Sequence, residues 1–357
     1  MEIQGERVRL RDRREEDLDD TKRWFAAGAE WRHWDAPWET LVWDERRERR
    51  WREVVESARR SPEAPRSSLE IETADGRHIG WVGSYWVEPV SRWRDAGIVI
   101  AEPEEWGEGQ GREAFTLWTD YLMRAHELPR IGMGTWSGNV RMIHLAARVG
   151  MYEEARFREA RDVRGERYDA VRWGMTRTEW LHHGEGRQEG FRRFVRDDWD
   201  EAAELIRQLY DHHRSLQRAE AFSLPEARET LFEWRHRHNN VLWVWQQEGH
   251  LRALARARHE GIYFMEELVV AQDDRGQGLG SRMLAAIEDE LRAAGETDLF
   301  LSMVWPGNLR ALDLYRRRGY DLINTIELRK GLREDRRGRA TEFLGRSFHL
   351  GRSVPED

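Results

Sequence analysis

The stretch Leu268-Val-Val-Ala-Gln-Asp-Asp-Arg275-Gly-Gln-Gly278-Leu-Gly280-Ser-Arg-Met-Leu284 decides how the chain is read. An apolar run that ends in a glycine-rich turn and opens a helical pattern exposes backbone N–H groups at the positive end of a helix, where phosphate oxygens fit. The turn occurs twice. Trp106-Gly-Glu-Gly109-Gln-Gly111 precedes it by 169 residues, and the same offset relates Trp136-Ser-Gly-Asn139-Val-Arg141 to Trp305-Pro-Gly-Asn308-Leu-Arg310, and Gly150 to Gly319. Motifs locked to one register mean a duplicated unit. A chain of 357 residues accommodates two domains. The polar, aperiodic segment His182–Glu189 marks the join, giving domains 1–185 and 186–357.

Working outward from each loop, the periodicities repeat. The first half reads as a strand at Val8-Arg-Leu-Arg, an acidic helix start at Arg14–Asp20 and a tryptophan-rich stretch. Strands follow at Ser68–Thr73, Ile79–Trp86 and Ala96–Ile100. Then come helix Glu113–Ala125, strand Ile131–Thr135, helix Val140–Val149 and strand pieces around Arg156–Val163 and Tyr168–Thr176. The second half runs Phe191–Val195, helices Trp199–Leu216 and Pro225–Arg237, a hairpin Val241–Gln246/Leu251–Arg258 and strand Ile262–Val270. After the loop come helix Ser281–Ala294, strand Leu299–Val304, helix Leu309–Arg318 and strands near Ile323–Arg329 and Thr341–His349, with Arg333–Arg339 as a charged turn between them. The expected fold class is a mixed α/β (α+β) architecture, a mostly antiparallel sheet flanked by helices in each half.

Spacing separates the families that use such loops. A dinucleotide fold wants Gly-x-Gly-x-x-Gly, but the third position holds Arg112 in one copy and Ser281 in the other. A P-loop needs a lysine after its last glycine, and the two lysines, Lys22 and Lys330, lie near neither loop. The pattern that fits is Arg/Gln-x-x-Gly-x-Gly/Ala after an apolar strand. With Asn308-x-x-Ala311-x-x-x-Tyr315-x-x-x-Gly319-Tyr320, it resembles the GNAT superfamily of acyl-CoA-dependent N-acyltransferases. The first copy is similar to the ribosomal-protein N-terminal acetyltransferase branch through Trp106–Ala114, Asn139, Gly150, Arg158-Glu-Ala, Gly165–Asp169 and Glu179-Trp180.

The resemblance implies acetyl-CoA as the acyl donor and direct attack of an amine on its thioester, without a covalent acyl-enzyme. It implies coenzyme contacts at Leu268, Val269, Val270, Arg275, Gly276, Gln277, Gly278, Leu279, Gly280, Ser281 and Asn308. In the first copy these become Ile98, Val99, Ile100, Trp106, Gly107, Glu108, Gly109, Gln110, Gly111, Arg112 and Asn139. Tyr315 falls on the family's general-acid position. For the base, Glu266 or Glu267 stands on the preceding strand, with Glu266 favoured; alternation along a strand lets only one of them face the acceptor. In the first copy the counterpart of Tyr315 is Ala146, the branch's assisting serine and glutamate appear as Met142 and Arg161, and Asp95 is the remaining candidate base.

Composition bounds the rest. Without cysteine there is no disulfide framework, thiolate metal site or cysteine nucleophile. A net charge of -8 argues against a nucleic-acid partner and favours small cationic ones. No apolar run approaches a membrane span, the start lacks a secretory signal pattern, and cytoplasm is the expected location. Fourteen of the 19 tryptophans lie in the first half. They read either as core packing or as an aromatic acceptor wall of Trp31, Trp34 and Trp38 helped by Asp35, Glu39, Asp44 and Glu45. The pairs His182-His183 and His212-His213 lack metal-ligand spacing, so no metal is expected. Three functions remain: acetylation of a small-molecule amine, acetylation of a peptide amine, or one catalytic domain beside a non-catalytic acyl-CoA-binding or pseudo-dimer module.

Overall fold

The computed structural model describes residues 1–26, 28–216, 219–301, 304, 308–322, 337–343 and 346–351. The chain divides into two compact units, Met1–Glu185 and Gly186–Asp357.

The first unit runs β1 (Glu2–Gln4), β2 (Val8–Arg11), α1 (Asp17–Trp24), α2 (Glu45–Arg60), β3 (Ser68–Thr73), β4 (His78–Glu88), β5 (Trp93–Ile100) and α3 (Gln110–Ala125). It continues with β6 (Arg130–Trp136), α4 (Val140–Val149), β7 (Tyr152–Val163), β8 (Glu166–Thr176) and α5 (Arg177–Gly184). Eight strands form one sheet in the order β1-β2-β3-β4-β5-β6-β8-β7. Every pairing is antiparallel except β5 with β6, which holds only from Trp93–Asp95 to Arg130–Gly132. Beyond Asp95 the two strands part, and the wedge opens toward the glycine loop. Trp118 and Phe115 of α3 and Trp173 of β8 are fully buried, with the Trp118 N–H donating to the Gly83 carbonyl. Burying each such side chain contributes roughly 1.5–3 kcal/mol or more.

The second unit runs β9 (Gly190–Arg193), α6 (Trp199–Leu216), α7 (Leu224–Arg235), β10 (Asn240–Gln247), β11 (His250–His259), β12 (Tyr263–Val270), α8 (Leu279–Ala293), β13 (Leu299–Leu301), α9 (Leu309–Arg317), β14 (Arg337–Phe343) and β15 (Arg346–Gly351). Its sheet order is β13-β12-β11-β10-β9, again with a single parallel pair, β12 and β13, joined from Tyr263 to Met265. Trp243, Met283, Leu284 and Ile287 form the core between sheet and α8.

Local chemistry sets the helix starts. Gly109 and Gly278 are the N-cap residues of α3 and α8, at φ +87° and +79°. A side chain there would cost about 1–2 kcal/mol, so glycine is required. Asn139 and Asn308 cap α4 and α9, their side-chain oxygens accepting from Met142 N at 3.1 Å and Ala311 N at 3.2 Å.

Several boundaries differ from the sequence expectation. The polar join at His182–Glu189 begins inside α5, because Thr176 and Glu179 form a capping box that starts a helix there. Helix α2 was not anticipated in the tryptophan-rich stretch; Asp44 caps it. Thr341–His349 spans two strands of the β14–β15 hairpin rather than one strand, and Arg337–Arg339 lies in β14 rather than in a turn. The expected strand Ile323–Arg329 and the segment Trp305–Gly307 lie outside the described residues.

Candidate active site

In the second unit the strand before the loop carries two adjacent carboxylates, Glu266 and Glu267. β12 pairs with β11 through Val270–Ala253 to Glu267–Arg256, then skips a residue so that Met265 faces Ala257. Glu266 is the bulged residue. A bulge breaks the strict alternation expected of the two glutamates, and both carboxylates bind Arg256. Its Nε lies 2.6 Å from Glu267 Oε2 and its Nη2 pairs with Glu266, while Arg258 Nε adds a 3.0 Å bond to Glu266 Oε1. The Tyr210 hydroxyl on α6 donates to Glu267 Oε1 at 3.2 Å.

Glu266, Glu267, Leu268, Asn308 and Tyr315 line one small cavity of about 80 Å³ together with Leu209, His213, Met265, Leu301, Val304 and Ala311. Burial raises the Glu267 carboxyl above its ordinary value, although Arg256 pulls it down. Burial, with the Glu267 charge added, pushes the Tyr315 phenol up to about 12 and keeps it protonated. Burial and the neighbouring His212 lower His213, leaving it neutral at neutral pH. Carboxylate, phenol and neutral imidazole thus share one desolvated space, an arrangement able to take a proton at one point and give one at another. Sequence reasoning missed Tyr210, His213 and Arg256; the spacing of Leu209, Tyr210 and His213 on one helix face was the available signal for the first two.

The loop fits a phosphate-bearing ligand. At Gly278 a Cβ would meet nothing within 4 Å, and Arg310 Nη2 lies 3.4 Å from the Cβ position of Gly276, so a guanidinium overhangs the turn. Arg275 ties the turn to its strand, Nε donating to the Val270 carbonyl at 3.0 Å. Gln277 is held to the Asp273 carbonyl, and Leu279 packs into the core while Gly280 and Ser281 fall in the first turn of α8. Among the described residues β13 pairs with β12 as far as Met265, and beyond it that edge of β12, around Leu268, Val269 and Val270, has no sheet partner.

The first unit repeats the backbone and changes the side chains. Trp106 takes the tying role of Arg275, its Nε1 donating to the Ile100 carbonyl at 2.9 Å. Gln110 bonds Glu105, Arg7 donates to the Glu108 carbonyl, and Gly107, Gly109, Gly111 and Arg112 complete the loop and first turn. Ile98, Val99 and Ile100 pair with β4 on one side and lie past the end of the β6 pairing on the other. Asn139 is fully engaged, with Nδ2 donating to the Trp34 carbonyl at 3.0 Å. Arg141 lies between Trp34 and Trp106, 4.6 and 4.3 Å from the ring centroids.

Ala146, fully buried, occupies the place of Tyr315: Met151 N bonds Ala146 O at 3.0 Å as Tyr320 N bonds Tyr315 O at 3.0 Å. Counting back from the strand ends, Gly97 opposite Gly83 replaces Glu267 opposite Arg256. Asp95 is buried at the wedge apex, paired with Arg172 Nη2 at 2.6 Å and accepting from the Tyr85 hydroxyl at 3.2 Å. Its Oδ1 has no hydrogen-bond partner.

The expected aromatic wall is dispersed. Trp31 is core, its N–H bonded to the Trp24 carbonyl; Trp34 stacks on Arg141; Trp38 is exposed against Trp136 and Arg161. The large cavity of this unit is lined instead by Trp43, Trp51 and Trp81. Among the described residues no group of three or more His, Asp or Glu could hold a metal, and no helix is long and apolar enough to cross a membrane.

Comparison with known proteins bears on these two sites. Residues 7–152 match the family described as acetyltransferase (GNAT) domain, and residues 202–320 match the acetyltransferase (GNAT) family. Among solved structures, the chain is similar to spermidine N-acetyltransferase from Vibrio cholerae in complex with CoA and spermine, at 20% identity over 49% of this chain and 98% of that one, TM-score 0.39. A GNAT-family acetyltransferase from Bacillus anthracis gives 16% identity over 49% and 98%, TM-score 0.40. A ribosomal L7/L12 alpha-N-protein acetyltransferase in complex with coenzyme A gives 14% over 49% and 98%, TM-score 0.40. No curated protein matches the chain. Each family match contains one glycine loop and its flanking strand and helices, and together the matches span most of the sequence: the chain belongs to the GNAT N-acetyltransferases, with two such domains in tandem.

Proposed function

We propose that the second unit is the surer acetyltransferase of the two and that its acceptor is the primary amine of a small molecule. The observation that carries this reading is the shared cavity of Glu267 and Tyr315, next to the edge of β12 that has no sheet partner past Met265 among the described residues. Acetyl-CoA supplies an activated acetyl group as a thioester. Gly276–Gly280 and Arg310 hold its phosphates, and the N–H groups around Leu268–Val270 face the carbonyl. Glu267, raised by burial, takes the ammonium proton, and Tyr315 gives a proton to the departing thiolate. Glu266 serves Arg256 and Arg258 rather than the acceptor. The cavity's small volume favours a slender amine over a folded polypeptide surface.

Thiol release with a panel of amines tests the assignment through Tyr315→Phe, which keeps the ring and removes the proton donor. Loss of about 10²-fold or more in turnover supports one working site. Retention of about half the turnover means that the first unit also works, with Asp95 as its base. Turnover of a peptide amine in preference to every small amine would overturn the small-molecule reading.

A further inference from the structure

Beneath α2 the first unit holds an open cavity of about 450 Å³. The rings of Phe25, Trp43, Trp51 and Trp81 form its walls, and Arg46, Arg47 and Arg50 stand at its rim. Positions 46, 47 and 50 share one face of the helix. Elsewhere on α2, Arg52 pairs with Glu48 and Glu15 and Arg59 with Glu56, while Arg49 and Arg60 make no ion pair among the described residues and do not line the cavity. Arg46, Arg47 and Arg50 make no ion pair among the described residues, in a chain where acids outnumber bases by 67 to 59; Arg47 rests only on the Phe25 ring, at 5.4 Å. The cavity's own carboxylates are already committed, Glu70 to Arg13 and His78, and Asp44 to the cap of α2. An apolar aromatic space therefore ends in uncompensated positive charge, opposite in sign to the partner expected from the net charge.

A strip of sheet without side chains leads away from this cavity. Directly opposed residues share a sheet face, as do alternate residues along a strand. One face thus carries Glu70 and Trp81, then Val99, Gly83 and Gly97, then Tyr85 and Asp95. A Cβ on Gly83 or Gly97 would meet nothing within 4 Å, and Gly97 is exposed although its strand lies inside an eight-stranded sheet. From Trp81 to Gly97 is about 7 Å along the strand and about 5 Å across, roughly 9 Å in all. Gly97 lies beside the backbone edge that corresponds to Leu268 in the second unit.

We propose that this cavity and strip form the acceptor site of the first domain, and that its ligand is a ring-bearing anion carrying a primary amine. The ring sits among Phe25, Trp43 and Trp81, its carboxylate or phosphate on Arg46, Arg47 and Arg50, and its amine over Gly83 and Gly97, reaching toward Asp95. This rests on the reading of the chain as an amine acetyltransferase. The transfer balances: an amide N–C bond forms as the thioester C–S bond breaks. Of the two ammonium protons lost, one leaves through Asp95 to solvent and one ends on the coenzyme thiol.

Calorimetric titration of the full chain with 4-(2-aminoethyl)benzoate, 2-phenylethylamine, AMP and inorganic phosphate tests the ligand class. The benzoate and 2-phenylethylamine differ by one carboxylate, placed at the end of the ring opposite the amine, and AMP presents a phosphate instead. The tighter ring anion is expected to exceed both 2-phenylethylamine and phosphate by about tenfold or more, the worth of one charge-assisted contact. Arg47→Gln/Arg50→Gln, at partly or fully exposed positions, should erase that preference while acetyl-CoA affinity and the melting transition stay in place. Equal or tighter binding of 2-phenylethylamine, no binding of either ring anion at millimolar concentration, or indifference to the double substitution overturns the ligand class. Thiol release from 2-phenylethylamine that ignores the substitutions keeps acetyl transfer and overturns this site. Arginine-dependent binding without thiol release from Tyr315→Phe protein upholds the ligand class and overturns the acceptor role.

Discussion

Glu267→Gln separates catalysis from stability in the second domain. The substitution preserves size, and the amide oxygen can still accept from Tyr210 and Arg256, which now hold the carboxylate. Only the ionisable group is lost. If that group takes the ammonium proton, kcat/KM should fall by about 10²–10⁴, or roughly 3–5 kcal/mol of barrier. Stability should move the other way. Burial outweighs Arg256 and leaves the folded-state carboxyl above its ordinary value, so the folded chain binds its proton more tightly than the unfolded chain does. Stability tied to this group is then complete below the ordinary carboxylate value and is lost as pH rises through the raised one. Glutamine stays neutral at every pH and escapes that cost. At neutral pH the variant should melt at the wild-type temperature or higher while turning over at least about a hundredfold more slowly. The acid limb of the wild-type kcat/KM profile, set above the usual carboxylate range, should vanish with it. Thiol release across acidic and neutral pH, paired with calorimetric melting, reads both effects. A variant that keeps its acid limb and most of its turnover refutes the base role. A fall of the midpoint by more than about 4 °C, near 1 kcal/mol for a unit of this size, refutes the electrostatic sign.

Two further outcomes are expected. Gly278→Ala places a Cβ at φ +79°, which strains the cap of α8 by about 1–2 kcal/mol and should weaken acetyl-CoA binding about tenfold by calorimetry; unchanged affinity would detach the loop from coenzyme binding. In the first domain His78 is buried, which lowers its pKa, yet the contacts with Glu70 and Asp17 more than offset this and the net shift is upward. The stability it contributes is therefore full below its ordinary value and lost as pH rises through the raised one. His78→Gln should flatten that pH dependence of the first domain's melting temperature, and a slope that survives the change assigns it elsewhere.

What the sequence disclosed was local. Glycines fixed the starts of α3 and α8, asparagines the starts of α4 and α9, and alternation the strand Ser68–Thr73, because each depends on one residue's backbone or on neighbours a few positions away. The site side chains depended on partners far along the chain. Glu266-Glu267 reads as simple alternation until β11 imposes a bulge, and Arg256 gains meaning only from being opposite it. The arginines of α2 read as a solvated charge run, since their cavity exists only once Phe25 of the α1 region and Trp81 of β4 supply its walls. The capping box of Thr176 and Glu179 is legible three residues apart in the chain, and it starts a helix that runs on into the polar composition that follows.

The two copies diverge on one side of the wedge. Both keep the positive-φ glycine caps, the asparagine caps and the bond that closes α4 and α9, all of which shape backbone around the coenzyme position. The differences fall on groups facing the acceptor: Tyr315 becomes Ala146, Glu267 becomes Gly97, and Arg256 becomes Gly83. Losing Arg256 alone would strand the buried Glu267 carboxylate at about 3–5 kcal/mol, whereas Arg256 without Glu267 keeps Glu266, and losing both removes the desolvation cost together. A paired change to glycine is thus the route least costly to folding, and it also bares the strip of sheet between the aromatic cavity and Asp95. On the proposed roles, one substitution pattern accounts for both the loss of the acid–base pair and the widening of the acceptor side. Duplication then left coenzyme binding under a common constraint and freed acceptor recognition to change sign, from an acidic cavity in the second domain to an arginine-rimmed one in the first.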